Sequence, residues 1–100
     1  MRLGCVCGNV VSTVKAAGLA RYKLLIVRDV DVSAPLDTPD RGGSYVAIDL
    51  TGAGDGDIVL VAHGSAARIE HGAGAAPTDA AVVAIVDSVL VGTRTTFVKS

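Results

Sequence analysis

The chain has 100 residues, half of them hydrophobic, with a net charge of −1 and only 3% aromatic residues. No basic stripe and few stacking rings (Tyr22, Tyr45, Phe97, no Trp) argue against a nucleic-acid binder. The longest apolar runs, at 24–27, 58–62 and 80–86, fall far short of the roughly 20 residues a membrane helix needs.

A chain of this length is expected to form a single domain over residues 1–100, hiding only about 60–65% of its unfolded surface. Its mean hydropathy of +0.51 is more than one small core requires. The surplus points to burial between subunits. No secretory signal is expected, because Gly4, Gly8 and Asn9 interrupt the start before an apolar region builds. The chain is therefore expected to be soluble and cytosolic.

Valine, alanine, glycine, aspartate and threonine dominate, and the β-branched valine and threonine suit the pleated surface of a sheet. Residues 1–15 read as a long first strand, in which Gly4 and Gly8 mark a bend, a bulge or a close backbone approach. Cys5 and Cys7 lie two apart and share a strand face. With no further ligands to complete a metal set, they read as small residues packed in a core or at an interface. Residues 16–21 form a turn. Residues 23–32 (KLLIVRDVDV) form a second strand, continuous at first and then alternating. Residues 33–43, rich in Pro, Asp and Gly, form a surface loop.

Residues 44–51 (SYVAIDLT) make a third strand, residues 52–57 (GAGDGD) a tight glycine loop, and residues 58–63 (IVLVAH) a heavily buried fourth strand. Residues 64–68 suit one helical turn capped by Ser65. Residues 70–77 are small and read as mobile. Thr78 and Asp79 could cap a helix, but the β-branched run that follows favours one long final barrel strand over 79–91 with a helical start. Residues 93–99 alternate and form a short C-terminal strand, able to pair with a neighbouring subunit. The fold class is all-β: a five-stranded OB-like barrel with a short helical turn and a C-terminal strand extension.

The glycine loop does not fit a phosphate cradle. Its sixth position is Asp57, a strand follows, and two aspartates would repel phosphate. Asp55 and Asp57 lack the spacing of a calcium loop and read as solvated carboxylates. His63 and Ser65 could pair as base and nucleophile, but Gly64-Ser65-Ala66-Ala67-Arg68 is not a nucleophile elbow. Arg68 is better suited to a subunit boundary, with Asp49, Asp79 or Asp87 as its carboxylate. No catalytic, cofactor-binding or metal residue is assigned.

In order, the stretches 1–15, 23–27, 47–57, 59–61, 64–68 and 79–87 resemble the EutN/CcmL family, the pentameric vertex proteins of bacterial microcompartment shells. The resemblance implies a barrel that forms a homopentamer among hexameric and trimeric shell proteins in the bacterial cytoplasm. It further implies a structural role without catalysis, cofactor, nucleic acid or membrane. It places Gly52, Ala53, Gly54, Asp55 and Gly56 toward the five-fold axis, and Ser65 and Arg68, with Asp49, at the subunit contact. Cys5, Cys7 and Thr51 depart from the family pattern. Two other readings compete: an OB-type module binding nucleic acid or another small partner, and a small hydrolase using Ser65 and His63.

Overall fold

A computed structural model describes residues 1–31, 43–64 and 78–99. The described residues contain seven strands and one short 3-10 turn. The strands are β1 (Arg2–Val10), β2 (Lys23–Asp29), β3 (Ser44–Asp49), β4 (Ile58–His63), β5 (Ala80–Ile85), β6 (Ser88–Val91) and β7 (Arg94–Val98). The turn, Ala17–Leu19, joins β1 to β2.

Five strands close into a barrel in the order β1-β2-β3-β5-β4, with β4 returning to β1. Every pairing is antiparallel except β3 with β5, a short parallel contact at Ile48↔Ala81 and Asp49↔Val82. Closure removes the open edges that five separate strands would present. The interior follows from strand alternation. Val6, Leu25, Val27, Ala47, Val59, Val61, Ala80 and Val82 point inward and are buried. No polar or charged residue is buried among the described residues. The barrel is a packed hydrocarbon core, not a ligand cavity.

A second, smaller cluster lies on the outer wall. Ile48 and Ala81 are buried there under Leu19, Tyr22, Leu24, Leu50 and Val83. The continuous apolar start of β2 has its cause here: Leu25 and Val27 face the core, while Leu24 serves the outer cluster.

Both strand glycines behave as their positions imply. A Cβ on Gly4 would meet Val27 Cγ1 at 2.5 Å and the Arg28 carbonyl at 3.1 Å, a close approach. Gly8 sits where the β1–β2 register slips between Val6 and Gly8. Neither cysteine is in the core. Cys7 is exposed and Cys5 half-buried, both free thiols.

Strand ends differ from the sequence expectation, each for a pairing reason. β1 stops at Val10 instead of running to residue 15, because its partner β2 begins at Lys23 and the ladder ends at Val10↔Leu24. β2 stops at Asp29, where the β2–β3 ladder has already ended at Arg28↔Ser44. The expected strand over 79–91 is two strands, with no helical start. Thr78 Oγ1 donates to the Ala80 carbonyl and accepts from the Ala80 amide, opening a strand. Val86 makes the last amide bond to the barrel, to the Ile58 carbonyl, and the chain then pairs with β7. The C-terminal strand thus pairs within its own chain, forming a β6–β7 hairpin as a separate two-stranded sheet. The helical turn expected at 64–68 and the loops expected at 33–43 and 70–77 fall almost wholly outside the described residues.

Candidate functional site

The glycine loop is held from three sides. Asp49 Oδ1 accepts from the Thr51 amide (2.9 Å), the Thr51 hydroxyl (3.0 Å) and the Gly52 amide (3.2 Å). This side-chain turn ends β3 and starts the loop. It also gives Thr51 a purpose, since its hydroxyl joins the turn. Gly52 and Gly56 take φ of +80° and +87°, a region that favours glycine. Ala53 between them is fully buried and plugs the barrel core.

The far side of the loop is tied to β1. Gly56 donates to the Val6 carbonyl (2.8 Å), and the Val6 amide donates to the Asp57 carbonyl (2.9 Å). Asp57 Oδ2 accepts from the Gly54 amide at 2.8 Å, and its Oδ1 lies 3.6 Å from Lys99 Nζ. Asp57 is therefore a structural clasp and not a solvated carboxylate. Asp55 remains exposed. The loop is preorganised and presents backbone at Gly54 with a single outward carboxylate at Asp55.

Asp49 is committed to the loop through Oδ1. Ser65 and Arg68 lie outside the described residues. His63 stacks obliquely against Tyr45, with ring centroids 5.2 Å apart, and its Nε2 is buried without a hydrogen bond. Among the described residues, no group of three or more His, Cys, Asp or Glu could hold a metal. No described helix is long and apolar enough to cross a membrane.

A polar cluster that sequence reading missed joins β1, β2 and β3. Tyr45 donates its hydroxyl proton to Asp29 Oδ1 (3.1 Å), and Arg2 reaches Asp29 Oδ2 (2.9 Å). Burial, then the Asp29 charge and hydrogen bond, push the Tyr45 phenol far above its usual range, and Arg2 offsets this in part. Tyr45 is thus a fixed donor. Nothing in the sequence brings residues 2, 29 and 45 together; the antiparallel pairing of β1 with β2 and of β2 with β3 does so.

Two apolar features also emerge. The hairpin exposes Leu90, Val91 and Val98, at 66%, 43% and 68%. On the outer wall, Leu19, Leu24, Val46 and Ile48 line a groove of about 190 Å³ with Thr78 and Asp79 at its rim. The unbroken apolar opening of β2 was the available signal for this second face.

A sequence model described as ethanolamine utilisation protein EutN/carboxysome matches residues 1–87. The chain belongs to the EutN/CcmL family. It is 43% identical over 99 residues to the microcompartment shell vertex protein EutN of Salmonella typhimurium, covering 99% of this chain and 96% of that one. It is 45% identical over 100 residues to the carboxysome shell vertex protein CcmL of a Synechocystis species, covering 99% and 95%. The solved structure of GrpN, a pentameric microcompartment shell protein from Rhodospirillum rubrum, superposes with a TM-score of 0.78 at 46% identity, covering 91% of this chain and 99% of that one. The GrpN structure thus shares the fold described above over 91% of this chain.

Proposed function

We propose that this protein is a vertex subunit of a bacterial microcompartment shell, located with the shell in the bacterial cytoplasm. Five copies form a ring that caps a corner where hexagonal tiles alone cannot close. The observation that carries this reading is the near-full-length likeness to a shell protein described as pentameric. The apolar surplus supports it, because Leu90, Val91, Val98 and Val46 are left to solvent in a single copy. A head-to-tail ring buries two different patches per subunit and hides such residues.

The role is structural, with residues 1–100 acting as one unit. Gly52, Ala53, Gly54, Asp55 and Gly56 face the five-fold axis, where five Asp55 carboxylates would form an anionic collar that disfavours anions. Ser65 and Arg68 meet a neighbouring subunit near Asp49. Hexameric and trimeric shell proteins surround the ring. The low aromatic content and slight negative charge weigh against nucleic acid as a partner.

The test is the native mass by sedimentation or native mass spectrometry. Five copies of the 10.0 kDa chain give about 50 kDa. A monomer, dimer or hexamer at micromolar concentration sinks the reading.

A further inference from the structure

Among the described residues, the β6–β7 hairpin tip and the outer groove are two surfaces of complementary chemistry. The hairpin is a sheet of its own, hydrogen-bonded to no barrel strand. A lone two-stranded hairpin is marginal in water and needs a surface to pack on. Its tip exposes Leu90 and Val91 beside the exposed cation Arg94, which pairs in register with Val91. The groove offers Leu19, Leu24, Val46 and Ile48 at its base and the exposed Asp79 at its rim. At about 190 Å³ it is below the roughly 300–1,000 Å³ of small-molecule clefts and on the scale of an aliphatic side chain.

The two surfaces sit at opposite ends of one strand. The groove rim, Asp79, immediately precedes β5, whereas the hairpin leaves beyond the other end of β5, after Asp87. The hairpin base is held there by the Lys99 amide on the Asp87 carbonyl (2.7 Å) and by the Lys99–Asp57 ion pair. The described residues extend over 44 × 24 × 24 Å. Within one copy the hairpin tip does not fill the groove, since Leu90 and Val91 stay exposed.

We infer that the hairpin tip of one copy enters the Leu19–Leu24–Val46–Ile48 groove of the next end-on, with Leu90 as the apolar knob and Arg94 facing Asp79. The occupant is a second copy of this chain. Apolar knob meets apolar groove, and positive tip meets negative rim. Because hairpin and groove are different patches, the contact is head-to-tail, the kind that closes into a ring. The inference rests on the ring proposed above and names the contact that closes it.

Sedimentation of the full-length chain tests it, with circular dichroism checking that each variant keeps its strands. Wild type should sediment near 50 kDa and Leu90→Asp near the 10.0 kDa of one chain. Arg94→Asp and Asp79→Arg should each raise the concentration for half-assembly several-fold, and the double swap should restore it. A Leu90→Asp pentamer of wild-type affinity overturns the docking, as does a double swap no better than either single variant. A Leu90→Asp variant that stays pentameric but no longer binds hexameric tiles also overturns it, assigning the hairpin to the tile. Should Leu90→Asp fail to fold, the charge swap decides alone. A wild type that is not pentameric sinks the vertex reading itself, whereas pentamers indifferent to these changes sink only the docking.

Discussion

A methyl group added to Gly4 would lie 2.5 Å from Val27 Cγ1 and 3.1 Å from the backbone oxygen of Arg28, so β1 and β2 would have to part. Gly8, on the same strand, would place its Cβ no nearer than 3.5 Å from Ile26. Gly4→Ala should therefore cost about 1–3 kcal/mol in urea unfolding, as overpacking does, while Gly8→Ala costs much less. Equal costs would show that the close approach is relieved elsewhere. Tyr45 gives a second prediction. Its phenol titrates above its ordinary value of 10.0 in the folded chain, so the folded state holds this proton more tightly than the unfolded state. The stabilisation is complete below pH 10 and is lost as pH rises above it. Melting temperatures taken across that window should fall more steeply for wild type than for Tyr45→Phe. Parallel curves would remove Tyr45 from the balance.

At the scale of elements, the glycine loop divides its labour between neighbouring residues. Gly52 and Gly56 supply the left-handed backbone, Asp49 and Asp57 supply the acceptors, and Ala53 enters the core. Gly54 serves none of these ends with its missing side chain. It has an ordinary φ, and a Cβ there would meet only Asp57 Oδ2 at 4.0 Å. Within one copy, Gly54→Val should leave unfolding free energy nearly unchanged. If the loop lines the axis, the same change crowds five valines together and the ring should dissociate. A Gly54→Val protein with unaltered native mass and stability would move the loop away from the axis. Gly52→Val is the contrast, since strain at φ +80° should weaken the single copy itself.

For the molecule as a whole, stability and assembly should be one quantity. The barrel core is small and made largely of valine and alanine, and aliphatic side chains remain exposed outside it. Subunits that bury these residues in one another stabilise the folded state by mass action. The melting temperature should rise by several degrees over a roughly hundredfold increase in protein concentration. A melting temperature independent of concentration would mean that the exposed aliphatic residues are not covered by other copies.

Much of the barrel was legible in the chain alone. The runs at 23–32, 44–51 and 58–63 declare strands because their β-branched side chains suit a pleated surface. The GAGDGD stretch declares a tight turn for the backbone freedom it contains. The ends of β4 and the starts of β2 and β3 were legible, but the far ends of β1, β2 and β3 were not, because a strand stops where its partner does: β1 has no neighbour past Val10, and its own residues cannot report that. The split of 79–91 was hidden for the same reason. The apolar run passes through residues 85–89 with only Asp87 and Ser88 to interrupt it, while the ladder changes partner from β4 to β7. Sequence alone thus determined the strand-forming segments, the turn chemistry and an apolar excess, all of which depend on residues close together along the chain. Only the tertiary structure decided which glycines bear positive φ, that Asp57 is a clasp while Asp55 is open, and that Arg2, Asp29 and Tyr45 meet. It alone set the hairpin apart from the groove, because these outcomes depend on backbone geometry and strand pairing that residue type by itself does not encode.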